Sequence, residues 1–320
     1  MSRRPEVFFV RITFSFMHSA IMSDIRTESQ VQPSLVPPLD TSLFNPSQIE
    51  LEFLRTAVSA DDEDMRRRVV EVQKEAYAKY PYPCILGFHH VALMMSGNPV
   101  YAAVLESGKN GDTLLLDLGC CMGTDVRKLA LDGYPAASIL GCDLRQEYID
   151  LGHKLYRDQE SSEVRFFTSD IFDVLPSFTQ PSVGAEHLRG VQVTSLSQLR
   201  SSVTHIYIGA VFHLFDEATQ YAVALRLAAL LKRERGAIIF GRHQGLEQEG
   251  MLDDHLGRTR YGHSERSWPI LWKKVLTEAE GAEFAETRVK VEAKLTDTFW
   301  QHVFGEKRPG SMLVWSVQIV

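Results

Sequence analysis

The stretch Leu114-Leu115-Leu116-Asp117-Leu118-Gly119-Cys120-Cys121-Met122-Gly123-Thr124-Asp125 reads as an apolar strand, a turn built on two glycines and the opening of a helix. An apolar run without alternation is what a strand buried on both faces requires, as in a parallel sheet with helices on each side. Gly119 and Gly123 let the backbone turn tightly and approach a ligand that any Cβ would block, while the helix N-terminus beyond them offers unpaired amides to an anionic group. Asp117 ends the strand as a negative charge at the carboxyl edge of the sheet, where open α/β sheets bind ligands. Alone, such a Gly-x-x-x-Gly turn is equally an ordinary strand-to-helix connection.

The same texture continues downstream. Short apolar runs at Leu114 to Leu118, Ser138 to Cys142, Val164 to Thr168, Val203 to Ile208 and Ala237 to Gly241 alternate with helical patterns from about Thr124, Arg145, Asp216 and Ser267. That alternation predicts a doubly wound α/β sheet. A final pair, Glu286 to Glu292 and Met312 to Val317, predicts an antiparallel edge hairpin with a long connection, and Leu175 to Ser201 reads as an insertion before the fourth strand. Upstream, Ser47-Gln48-Ile49-Glu50 is a capping box opening a helix, and a second helix starts at Asp61 to Asp64 and runs to Tyr80, where Pro81 and Pro83 stop it. Phe88 to Met95 and Asn98 to Gly108 are expected as two further short helices. Three regions follow: a flexible lead over residues 1–46, a helical segment over 47–110 that covers the site, and a ligand-binding sheet domain over 111–320.

Two more strands end in acids. Asp143 follows Asp117 by 26 residues, at the tip of the neighbouring strand, where a ribose diol needs a bidentate acceptor. The third strand runs into Asp170-Ile171, a carboxylate for an exocyclic amine and an apolar flank for a base ring. Each acid alone is as readily a turn cap; three in register make a nucleotide-type crevice the stronger reading.

The composition limits the alternatives. Of 320 residues, 44% are hydrophobic and 23% charged, and the formal net charge is −7, an ordinary folded chain without the basic footprint of nucleic-acid binding. Four cysteines without a C-x-x-C pair read as reduced thiols in a cytoplasmic protein. Residues 7–17 are too short and too polar for a membrane span and make a poor signal peptide, and Met22 is a possible second start. Asp253-Asp254-His255 has no partner cluster at ligand spacing, so no metal is assigned.

The chain from Thr113 to Val320 resembles the class I S-adenosylmethionine-dependent methyltransferases, whose first loop reads acid-x-Gly-x-Gly-x-Gly; here Cys121 stands at the middle glycine. The resemblance implies a Rossmann-like sheet with S-adenosyl-L-methionine as cofactor. By position it puts Asp117, Gly119, Gly123, Thr124 and Asp125 around the methionine end, Asp143 at the ribose, Leu144 beside the adenine, and Asp170 with Ile171 at its edge and face. A narrower resemblance, carried by Tyr80-Pro-Tyr-Pro-Cys84-Ile85, the Gly119 to Gly123 loop, Phe212-His213-Leu214-Phe215 and Gly241-Arg242-x-Gln244-Gly245, is to fungal methyltransferases of meroterpenoid pathways. It implies methylation of a carboxyl group on a small prenylated polyketide, by a homodimer.

His213, beyond the fourth strand, and His243, placed after the fifth, are the candidate catalytic groups, to orient an acceptor oxygen or take its proton; each is equally a structurally bonded histidine. A carboxylic acid is ionised at neutral pH and needs no base, whereas a phenol gains from one. The alternatives are a phenol O-methyltransferase, a nicotinamide-dependent oxidoreductase, for which Gly119 to Gly123 lacks the second glycine of Gly-x-Gly-x-x-Gly, and a non-catalytic partner of the same fold.

Overall fold

The computed structural model describes residues 37–178, 185–252, 259–299 and 309–320. Leu39–Asp254 with Arg258–Val320 form one compact unit, so the helical segment and the sheet share a single body; Met1–Pro38 and His255–Gly257 make the other unit, which lies almost wholly outside the described residues. Among the described residues no helix is long and apolar enough to cross a membrane. Asp253, Asp254 and His255, most of the lead, and the possible start at Met22 also lie outside them.

Strands β1 (Leu115–Leu118), β2 (Ile139–Asp143), β3 (Arg165–Thr168), β4 (His205–Gly209) and β5 (Ile238–Gln244) pair in parallel, and β9 (Pro309–Ile319) and β8 (Val289–Phe299) close one edge antiparallel, in the order β3-β2-β1-β4-β5-β9-β8. Asp117 pairs with Gly141 on one side and Tyr207 on the other, and Gly209 pairs with Arg242. The order reverses between β1 and β4, which opens a crevice at their carboxyl ends. Helices α5 (Thr124–Leu131), α6 (Gln146–Tyr156), α8 (Glu217–Leu230) and α9 (Ser267–Glu280) begin where expected. The edge strands are longer than the sequence suggests, and β6 (Gly250–Leu252) with β7 (Arg260–Gly262) make a separate small hairpin.

In the N-terminal segment both start signals operate. Ser47 and Glu50 close the capping box of α1 (Gln48–Ala57), and the Asp61 side chain accepts from the Asp64 amide at the head of α2 (Asp62–Lys79). The expected helix over Phe88 to Met95 is corrected: α3 (Pro83–Leu86) ends at Gly87, and only His89–Val91 makes a 3₁₀ turn. Phe88 has φ 58°, a left-handed conformation that cannot continue a helix. The next helix, α4 (Tyr101–Asn110), begins later than Asn98 because the Asn98 amide instead donates to the Gly241 and Trp315 carbonyls, at 3.1 and 3.3 Å. The insertion before β4 holds a short helix, α7 (Ala185–Arg189), and a 3₁₀ turn, Leu196–Leu199, with its own capping box at Ser195.

Candidate active site

The loop after β1 passes through left-handed φ at Gly119 (82°), Cys121 (51°) and Gly123 (70°). Cys121 thus adopts the conformation that its position demands of a glycine, at a cost of about 1–2 kcal/mol for an L-residue. What holds it there is the Asp143 carboxylate, whose Oδ2 accepts the Cys121 amide at 2.8 Å, while Oδ1 accepts the Arg145 amide at 2.9 Å. A Cβ at Gly119 would lie 2.8 Å from Val211 Cγ2, and one at Gly123 would lie 2.5 Å from the Phe166 ring. Both glycines are fixed by space as well as by φ.

Asp117, 3% exposed, receives no side-chain hydrogen bond among the described residues. Burial, then the charges of Asp125 and Asp143, push its carboxyl well above the usual range. Burial also raises Asp143, against the pull of its backbone donors, and lifts Asp125 to about 7 although the Met94 and Met95 amides both donate to its Oδ1 at 2.9 Å. Buried Asp117 and Asp143 with half-buried Asp125, none ion-paired to a Lys or Arg among the described residues, make a cradle for a cation, because Asp125 and Asp143 disfavour the ionisation of Asp117 and a positive ligand relieves that.

Thr124 and Asp125, expected beside the ligand, spend their side chains on the N-terminal segment. Thr124 Oγ1 donates to the His90 carbonyl and pairs with Tyr156 Oη at 2.7 Å, and Asp125 holds Met94 and Met95. The segment therefore clamps onto the first turn of α5. Above β2, Tyr80 and Tyr82 stack with centroids 6.0 Å apart, and the Arg145 guanidinium lies 4.3 Å over the Tyr80 ring. Leu144 next to them is 42% exposed, an apolar surface beside the crevice. Asp170 Oδ1 accepts the Phe172 amide at 2.9 Å as the cap of a 3₁₀ turn, and Ile171 is buried.

The two candidate histidines part company. His213 lies in the 3₁₀ turn Phe212–Leu214, half-buried, with Nδ1 accepting the Gln244 amide at 3.4 Å and its carbonyl accepting from Arg260 Nε at 2.8 Å. His243 lies within β5 and not after it, which corrects its expected place. It is fully buried, Nδ1 accepts from Trp315 Nε1 at 3.0 Å, and Phe212, Trp268 and Trp315 surround the ring. Burial first, then His213 and His263, push its pKa well down, so it is neutral at any physiological pH. Side chains alternate along β5, so Arg242 and Gln244 face away from that box, on the side of Phe240. The same face carries Tyr207, whose Oη is buried without a partner. Arg242 and Tyr207 escaped assignment from the sequence, although a polar residue in a buried strand was a signal for both.

Residues 39–91 match the family described as the meroterpenoid methyltransferase N-terminal domain. The chain is 32% identical to the O-methyltransferase phiE of a fungus (strain ATCC 74256) over 65% of its own length and 64% of that protein's. It is 32% identical to the asnovolin E/chermesin D methyltransferase nvfJ of Aspergillus novofumigatus over 66% of this chain and 70% of the relative. Against the methyltransferase adrK of Penicillium rubens it is 30% identical over 82% of this chain and 87% of the relative. The family model thus matches the N-terminal segment that includes His90, whose carbonyl accepts from Thr124 at the head of α5, and with these relatives the chain belongs to the fungal meroterpenoid-type methyltransferases, enzymes with S-adenosyl-L-methionine as cofactor.

Proposed function

We propose that the protein methylates a carboxyl group of a small meroterpenoid or polyketide-derived acid with S-adenosyl-L-methionine as donor. The observation that carries the donor site is the trio of buried Asp117 and Asp143 with half-buried Asp125 around the left-handed loop, a negative cradle fitted to a ligand with sulfonium and ammonium charges. In this reading Asp117 faces the methionine end, Gly119 and Gly123 give the backbone its close approach, and Asp143 accepts from the ribose while bracing the loop. Thr124 and Asp125 fix the covering segment beside the donor. Leu144 and Ile171 flank the adenine, and Asp170 faces its edge. When bound, the donor supplies an electrophilic methyl group; the protein orients the acceptor and keeps water out.

The carboxyl preference is supported by the weakness of the local bases. His89 is pushed down to about 4 by burial and by the Arg242 charge, His90 to about 3, and burial lowers His243 as well. None has the basicity to deprotonate a phenol, whereas a carboxylate arrives ionised. A phenol acceptor is the second reading, favoured by one feature: the Gln244 amide fixes His213 Nδ1 as an acceptor, which puts the neutral ring's proton on Nε2 and holds the imidazole at the β4–β5 mouth. Homodimerisation belongs to the same proposal and rests on the resemblance alone.

The test is mass spectrometry of the protein with S-adenosyl-L-methionine and a matched pair, a prenylated phenolic carboxylic acid and its methyl ester. A one-methyl gain on the acid alone is the expected result. A gain on both transfers the reading to the phenol and to His213.

A further inference from the structure

Arg242 is a half-buried cation without an anion. Among the described residues its only hydrogen-bond acceptor is the Met94 thioether, and no carboxylate reaches ion-pair distance. A guanidinium carries five donors, and a thioether sulfur satisfies one of them weakly. Asp125 feels the Arg242 charge, yet its Oδ1 is already committed to two backbone amides. Tyr207 shares that face of the sheet and is the second orphan: it is 2% exposed and its Oη has no partner. The phenol reaches along β4 past Gly209, the residue paired with Arg242, because a Cβ at Gly209 would lie only 2.8 Å from Tyr207 Oη. A buried hydroxyl without a partner and a half-buried guanidinium answered only by a thioether share one face of the sheet, near enough for the guanidinium's charge to act on the phenol, and together they suit a ligand that accepts from each.

We propose that Arg242 and Tyr207 form an anion subsite that binds the carboxylate of the acceptor and so selects the ionised acid over its ester or a neutral phenol. This rests on the carboxyl reading above. The subsite belongs to the acceptor and not to the donor because of its place in the sheet. The acids that suit the donor stand on the tips of β1, β2 and β3, whereas Arg242 stands on β5, beyond β4 and about 10 Å from β1 at ordinary strand spacing.

The probes are S-adenosylhomocysteine, a prenylated phenolic carboxylic acid and the methyl ester of that acid, titrated calorimetrically into wild type, Arg242→Gln, Arg242→Lys and Tyr207→Phe. With S-adenosylhomocysteine saturating, wild type is expected to prefer the acid over the ester by at least about tenfold, the effect of a hydrogen bond to a charged group. Arg242→Gln loses that preference, Arg242→Lys retains part of it and Tyr207→Phe weakens it. S-adenosylhomocysteine affinity stays within about twofold of wild type in Arg242→Gln, which also certifies the fold; if that variant fails to fold, Arg242→Lys and Tyr207→Phe decide. The proposal is overturned if wild type does not distinguish acid from ester, if Arg242→Gln keeps the preference, or if S-adenosylhomocysteine affinity falls tenfold in Arg242→Gln, which assigns the guanidinium to the donor's own carboxylate. Methylation of the ester by wild type removes the carboxyl reading itself, independently of how the variants bind.

Discussion

Replacing Gly152 by alanine sets two effects of opposite sign against each other. Gly152 lies inside α6, where alanine is favoured over glycine by about 1 kcal/mol on helix propensity alone. A Cβ there, however, would lie 2.3 Å from the Met122 carbonyl oxygen and 2.9 Å from its carbon, roughly 1 Å inside ordinary contact. The obstacle cannot turn aside. Met122 sits between left-handed Cys121 and Gly123, and its carbonyl accepts from Arg127 Nη1 at 2.7 Å, while Arg127 is anchored to Asp158 at 2.6 Å. Overpacking against a fixed backbone falls at the upper end of the usual range, about 3 kcal/mol, so Gly152→Ala is expected to destabilise by about 2 kcal/mol net and to lower Tm by roughly 3 °C for a unit of this size. Because the strain falls on the loop that the proposed donor site uses, S-adenosylhomocysteine affinity is expected to fall as well, by about tenfold or more. Thermal denaturation and calorimetry on the same preparation read both effects. A variant more stable than wild type by about 1 kcal/mol, with unchanged affinity, would refute the close approach of helix and loop.

Asp143→Ala removes an acceptor used by two backbone amides and, in the functional reading, by the ribose; at about 1.5–3 kcal/mol for a hydrogen bond to a charged group, affinity for S-adenosylhomocysteine drops about 10- to 100-fold. Unchanged affinity by titration would remove Asp143 from the donor site. Asp125 gives a pH dependence: its folded pKa of about 7 lies above the ordinary 3.8 of a free aspartate, so the folded state holds a proton that the unfolded state releases, and stability declines as pH rises between those values. Asp125→Asn keeps an oxygen for the Met94 and Met95 amides without the charge and flattens that decline, making the ligand-free variant more stable than wild type at pH 8. Parallel pH profiles for the two in denaturant melts would sink the assignment.

The sequence made the sheet legible because its evidence there is local. An unalternating apolar run, an acid at its tip, a glycine turn and a cap each sit within a dozen residues, and β1, β2, α1 and α8 follow from them. What stayed hidden depends on contacts between distant residues. Asn98 looks like a helix cap until its amide is seen to bridge Gly241 and Trp315, 143 and 217 residues away. Thr124 and Asp125 look like donor ligands until the covering segment arrives from residues 88–95 to occupy them. Adjacent Arg242 and His243 differ only in the parity of a strand. Parity is readable, but which face meets a crevice and which meets three tryptophans, Trp268, Trp272 and Trp315, depends on helices that pack from elsewhere.

The clamp between α5 and the covering segment has a thermodynamic consequence. The Met94 and Met95 amides end on the same carboxylate that, in the proposed donor site, a positive charge favours in its ionised, better-accepting form. Occupying the crevice and docking the segment therefore draw on one proton equilibrium, and by reciprocity each strengthens the other by the same factor. On that reading Met94 and Met95, just beyond the stretch that the family model matches, report occupancy, a contact that tightens as the charge beneath it is answered.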